Sequence, residues 1–206
     1  MIGRNLLLGT FGVMLTSMLS AQTEPVDQNF EGPYAGGLAS FGQALKVGDS
    51  APGPVWLISG DLGYGIKRDT WNRIELGVEL GTGGASFKDK NNGGIKVDLD
   101  LDMLMMLKGG YGYSLGGKTF GFLRAGAGMT KASYDGKLGG LKVDGGSSTG
   151  LVTMIGWDTV YFASDKLDLT LGFNFRFFNF DFSDIGDAGS FQMNVPTLFV
   201  GARFRL

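Results

Sequence analysis

The side chains that could do chemistry in this chain are mostly carboxylates and guanidiniums at alternate positions. Asp98, Asp100 and Asp102 stand two apart within Ile95 to Leu107. Side chains two apart on a strand share a face, about 7 Å from one to the next. Such a row invites a cation-site reading, but calcium is held by a curved loop whose oxygens converge on one point. A flat row does not converge, so the three read as salt-bridge partners. Met103, Met105 and Met106 invite a copper reading, and packing or lipid contact is the plainer use of thioethers. Gly109-Gly110-Tyr111-Gly112 is followed by neither the helix pattern nor the Lys-Ser/Thr of a phosphate loop. Ser133, Ser147 and Ser148 have no base to activate them. The chain holds no His and no Cys. Imidazole catalysis, disulfides and thiolate metal sites are therefore excluded. No catalytic residue, metal or cofactor is expected.

The elements that carry these residues alternate with period two. From Ile95 to Leu107 every odd position is apolar, while Lys96, Asp98, Asp100 and Asp102 hold even positions. A helix would scatter those charges, whereas a strand puts them on one face. Leu167, Leu169, Leu171, Phe173, Phe175 and Phe177 form another apolar row, opposed by Asp168, Thr170, Gly172, Asn174 and Arg176. Weaker copies run through Trp56 to Tyr64, Ile74 to Gly81, Leu123 to Met129, Leu151 to Tyr161 and Thr197 to Leu206. An opening strand is expected from Tyr34 to about Val47. The sum is eight strands. Short turns are expected near Lys67 to Asn72, Ser114 to Lys118 and Ala163 to Lys166. Longer loops are expected near Val47 to Pro54, Phe87 to Gly94, Asp135 to Ser148 and Ser183 to Ser190. Short turns at one rim and long loops at the other is the pattern of outer-membrane barrels.

Composition points the same way. Glycine numbers 37 of 206 residues, against a usual share of roughly 7%. Sixteen Phe argue against disorder, and a net charge of −2 offers no basic field for nucleic acid. Arg4 followed by the apolar run Leu6 to Leu19, then Ser20 and Ala21, is the pattern of a secretory signal peptide. That divides the chain into a signal peptide at 1–21 and one barrel domain at 22–206, which opens with a short segment at 22–33. Soluble and membrane barrels share the alternation. The polar face here holds Gly63, Gly77, Gly81, Gly126, Gly128, Gly172 and Gly201, which suits the cramped lumen of an eight-stranded barrel. Tyr111, Tyr113, Trp157, Tyr161, Phe178, Phe180 and Phe182 fall near strand ends, where aromatic belts meet a membrane interface. The expected fold is therefore all-β: an eight-stranded antiparallel up-and-down transmembrane barrel.

The export signal, FEGPYAGGLASFG at Phe30 to Gly42, the eight alternating segments and the terminal TLFVGARFRL together resemble the small outer-membrane barrels. That group includes the OmpA-type transmembrane domain, OmpX-like proteins and opacity-type surface antigens. The resemblance implies an outer-membrane location with both termini in the periplasm. It also implies partners in outer-membrane lipids and lipopolysaccharide, and in the barrel assembly machinery. Members commonly end in an aromatic residue read by that machinery. Here Leu206 is last and Phe204 stands two before it, so these two are the candidate assembly signal. A monomer is expected.

With the polar face turned inward, Asp61, Glu75, Glu79, Asp98, Asp100, Asp102, Asp158 and Asp168 meet Lys96, Lys108, Arg124, Arg176, Arg203 and Arg205 in the lumen. Buried charges persist only when paired. Glu79 is expected near Asp102, with Arg124 or Arg176 reaching between them, and Arg203 near Asp168. Such a network plugs the barrel. The functional reading is a non-enzymatic structural or surface protein of the envelope. A small-solute or gated pore, and an adhesin acting through its loops, are the alternatives.

Overall fold

The computed structural model describes residues 31–47, 53–88, 96–138, 141–181 and 190–206. The expected signal peptide and Phe182 lie outside the described residues. The strands are β1 (Gly32–Gln43), β2 (Lys46–Val47), β3 (Pro54–Lys67), β4 (Asn72–Lys88), β5 (Lys96–Gly116), β6 (Thr119–Leu138), β7 (Leu141–Phe162), β8 (Leu167–Asp181) and β9 (Ser190–Arg205). The eight long strands pair antiparallel in chain order, and β1 also pairs with β9. The sheet is thus a closed barrel, and closure leaves no unpaired edge along the paired wall.

The expected opening strand from Tyr34 to Val47 is two pieces. The ladder between β1 and β9 stops at Gly42–Thr197, beside Pro196, which has no N–H to donate. Leu45 N–H then donates to the Asn194 carbonyl at 2.8 Å, and the two-residue β2 continues along β9 at Asn194 and Met193. The expected loop from Asp135 to Ser148 is also mostly strand. Its Gly and Ser residues read as loop, yet β6 and β7 stay paired from Ser133–Ser147 out to Leu138–Leu141.

The three short turns fall where expected. Gly116 and Gly117 have φ of 102° and 53°, left-handed values that favour glycine between β5 and β6. In the β7–β8 turn Ser164 Oγ accepts the N–H groups of Lys166 and Leu167. In the β3–β4 turn the Asp69 carboxylate accepts the N–H groups of Trp71 (2.7 Å) and Asn72 (2.8 Å) and the Asn72 side-chain amide. The Asn72 side chain, then the Trp71 N–H, hold the Asp69 carboxyl below its ordinary value. A depressed carboxyl stabilises the fold above its unfolded value, about 3.9, and that contribution fades as pH falls through the folded value. The gap between the urea midpoints of wild type and Asp69→Asn at pH 6 should therefore shrink steadily as pH is taken below about 3.9. A gap that persists at low pH would show that ionisation is not what the turn uses.

One irregularity decides which way side chains point. On β5 the pairing to β6 skips Asp102, with Leu101 opposite Ala132 and Met103 opposite Lys131. The register to β4 shifts at the same level, between Gly81 and Gly83. One extra residue in a strand inverts its alternation. On the short-turn side of Asp102, Met103, Met105 and Leu107 face outward while Leu104, Met106 and Lys108 are buried. On the other side Leu99 and Leu101 are buried, and Asp100 and Asp102 are exposed.

The barrel accordingly has two regimes along its length. Around its middle the outer face is apolar, as at Leu76, Leu107, Leu123, Ile155 and Leu171, and the inner face is charged. Toward the long-strand end the outer face turns polar through Thr82, Asp102, Lys131, Thr149 and Asn179, all exposed. There the inner face becomes an apolar cluster that includes Leu57, Leu99, Leu101, Leu104, Phe178, Phe180 and Val195. This is the ordering of a water-soluble barrel set on top of the ordering of a lipid-embedded one. Phe178 and Phe180, expected in an interfacial belt, are buried in that cluster. The belt at the short-turn end instead exposes Tyr64, Trp71, Tyr111, Tyr113 and Tyr161. Trp71 stacks on Tyr113 at 5.9 Å, and Tyr111 Oη donates to Asn72 Oδ1 at 2.5 Å.

Candidate functional site: the charged lumen

The middle of the lumen is filled by a network linking five carboxylates and five cations among the described residues. Glu79, on β4, accepts from Arg176 Nη2 at 2.8 Å and from Ser59 Oγ at 2.9 Å, and lies 3.2 Å from Lys108 Nζ. Lys108 also reaches Asp61 at 3.1 Å. Arg124, on β6, grips Asp158 with Nε at 2.5 Å and Nη2 at 3.0 Å, and turns Nη1 to Glu75 at 2.6 Å. Asp158 also accepts from Thr170 Oγ1 at 3.1 Å. Arg203 donates to Glu75 at 2.8 Å and lies 3.7 Å from Asp168, which Arg205 meets at 2.9 Å. The sequence separations are long, 97 residues for Arg176–Glu79 and 128 for Arg203–Glu75. The network therefore staples distant strands across the barrel.

The expected residues divide into two groups. Asp61, Glu75, Glu79, Lys108, Arg124, Asp158, Asp168, Arg176 and Arg203 are buried inside the barrel, and Arg205 sits at the rim. Asp98, Asp100 and Asp102 are not in the lumen. Asp100 and Asp102 are exposed, Asp98 lies partly exposed on the same outer face, and Ser133 Oγ donates to Asp102 at 3.1 Å. The bulge at Asp102 is the cause. Separately, the β4–β5 register pairs Glu79 with Met106, four residues from Asp102, and Arg176 reaches Glu79 without a second acid. The Lys96 side chain lies outside the described residues. Of the expected set, five acids and five bases are linked in the lumen among the described residues.

Three participants escaped the sequence reading. Arg73 is fully buried. It donates to the carbonyls of Asp69 and, at 3.1 Å, Asn72, with its guanidinium 4.6 Å over the Phe120 ring. One parity step back from Glu75 along β4 reaches it. Tyr34 lies under Arg203 at 4.6 Å, and Ser59 supplies a hydroxyl. At the short-turn end Phe120, Phe122, Val160 and Phe162 form a second buried apolar cluster. Arg124 lies 4.7 Å over Phe122 and Arg205 lies 4.9 Å over Phe162. Cations over ring faces are attracted by the aromatic quadrupole.

The lumen is thus stacked in three layers: apolar, charged, and aromatic with cations. The cavity left among Asp61, Glu79, Lys108, Arg124, Asp158 and Asn174 measures about 10 Å³, room for about one water. Glycines make the fit possible. A Cβ at Gly63 would fall 2.4 Å from Tyr34 Oη, and one at Gly156 would fall 2.1 Å from Asn174 Oδ1.

The sequence profile of the outer membrane protein beta-barrel domain family matches residues 11–204. The chain belongs to that family. Membership indicates an outer-membrane location. Among solved structures this outer-membrane barrel is similar to Neisserial surface protein A, at 15% identity and a TM-score of 0.48, over 84% of this chain and 97% of that one. It is similar to the attachment invasion locus protein Ail of Yersinia pestis, at 15% identity and a TM-score of 0.46, over 85% and 99%. It is also similar to the N-terminal beta-barrel domain of Pseudomonas aeruginosa OprF, at 14% identity and a TM-score of 0.40, over 84% and 97%. No curated protein matches the sequence.

Proposed function

We propose that this barrel is a sealed, non-enzymatic envelope protein whose lumen serves stability and not transport. The observation that carries the reading is the three-layer filling, with space for about one water at its centre. An open pore needs a continuous wet path, and eight strands enclose little more than their own side chains. In this reading both termini face the periplasm, because an even number of strands returns the chain to the side it started from. Partners are outer-membrane lipids and lipopolysaccharide along the wall, and the assembly machinery, which reads Phe204 and Leu206. The protein acts as a monomer, without cofactor. A surface-recognition role is a second reading. It is favoured by the long β5–β6–β7 sheet, which carries polar outer faces past the apolar band at Asp100, Ser133 and Ser147.

Planar-bilayer conductance tests the sealed reading. Wild type is expected to pass no steady current, while Arg124→Ala and Arg176→Ala, which open gaps in the charged layer, should admit brief openings. Wild type conducting as readily as a porin would overturn it.

A further inference from the structure

Six methionines lie among the described residues, and they divide evenly. Met106, Met154 and Met193 are buried in the lumen at 0%, 5% and 0% exposure, whereas Met103, Met105 and Met129 are 47%, 45% and 46% exposed on the outer face. The outer three form one patch. Met105 and Met129 are directly paired across β5 and β6, which puts their Cβ atoms about 5 Å apart. Met103 is two residues along β5 on the same face. It pairs with Lys131 and adjoins Asp102, both exposed. The patch therefore starts at the boundary between polar and apolar outer surface and runs inward, Met105 and Met129 lying about 5 Å deeper after allowing for strand tilt. Leu, Ile, Val and Phe cover most of the remaining apolar wall, and none of them reacts with mild oxidants.

We propose that Met103, Met105 and Met129 form an oxidisable patch that consumes neutral two-electron oxidants of the hypohalous acid class at the membrane boundary. A neutral oxidant can enter the interface beside Asp102 and Lys131, where an ionised one is held back by the cost of leaving water. The thioether sulfur attacks the chlorine of hypochlorous acid and hydroxide leaves. Water then displaces chloride from sulfur. In sum, a thioether and hypochlorous acid give a sulfoxide, chloride and a proton, with sulfur losing two electrons and chlorine gaining them. The polar sulfoxide is tolerated at the boundary. Inside the lumen it would disrupt packing, and there the methionines are shielded.

The test uses the folded chain in phospholipid vesicles, a brief pulse of hypochlorous acid, and mass spectrometry of the methionine peptides. Met103 should oxidise first, Met105 and Met129 next, and the three lumen methionines at least about tenfold more slowly, since susceptibility follows exposure. In urea-unfolded protein all six should react at comparable rates. Lumen methionines that oxidise as fast as Met103 in the folded barrel, or no order between Met103 and Met105, would overturn the assignment. A triple variant, M103L/M105L/M129L, keeps the volume and removes the sulfur. Its Trp56 and Trp71 fluorescence, from side chains each 44% exposed, should bleach at a dose lower by about three oxidant equivalents per chain. An unchanged bleaching dose would show that the patch consumes nothing on behalf of the rest of the molecule.

Discussion

Arg124→Ala is expected to destabilise the barrel by about 3–5 kcal/mol, the usual cost of removing one partner from a buried ion pair. The size follows from what Arg124 holds. It is the bidentate partner of Asp158 and the second partner of Glu75. After truncation Glu75 keeps Arg203, but Asp158 keeps only the Thr170 hydroxyl. A buried carboxylate with one neutral donor is the expensive residue of this change, more than the lost attraction itself. Urea unfolding in lipid vesicles measures the cost, and a double-mutant cycle with Asp158→Ala separates the pair from its surroundings. Coupling above about 1.5 kcal/mol is expected, because contacting members of one network do not act additively. A single-variant loss under about 1 kcal/mol, the worth of an exposed pair, would place Arg124 outside any working network.

Gly128→Ala is the second large effect. A Cβ at this position would lie 2.0 Å from the Met105 carbonyl oxygen and 2.6 Å from Met106 Cα. Both atoms are backbone of the neighbouring strand, so no rotamer change relieves the contact and β5 and β6 must separate. Overpacking usually costs 1–3 kcal/mol, and a backbone clash belongs at or above about 3 kcal/mol. The control is its neighbour Ala127, which faces outward and is exposed; Ala127→Leu should stay within about 0.5 kcal/mol of wild type. The gel shift between unboiled and boiled samples reports the folded fraction. A Gly128→Ala barrel that folds fully and melts like wild type would mean that the strands do not approach this closely.

Most of the wall was readable from alternation because a membrane makes alternation strict. In β8 the row from Leu167 to Phe177 and its polar complement sit on opposite faces, and the inward parity places Asp168 and Arg176 in the lumen. The parity failed where the surroundings change. The run Leu101 to Leu107 has apolar residues on both parities, since Leu104 and Met106 break the even polar row. That doubled signal is what a bulge looks like in one dimension, and it misassigned Asp98, Asp100 and Asp102. Phe178 and Phe180 extend the even, lumen-facing row of β8. Their apolar character pointed to a belt only because the lumen was taken to be polar along its whole length. The cross-barrel partnerships, such as Arg203 with Glu75, depend on strand stagger and shear, which no local pattern encodes.

The extra residue at Asp102 also acts as a reading-frame boundary within the wall. Residues on its long-strand side can be gained or lost in pairs, or exchanged between acidic, basic and hydroxylic types, without moving any side chain of the charged layer. The converse holds as well. Deleting Asp102 alone would transpose the two faces of one stretch, presenting Leu99 and Leu101 to solvent and aiming Asp98 and Asp100 into an apolar core. The part that extends past the apolar band is thereby free to vary while the part that must fit a lipid bilayer stays in register.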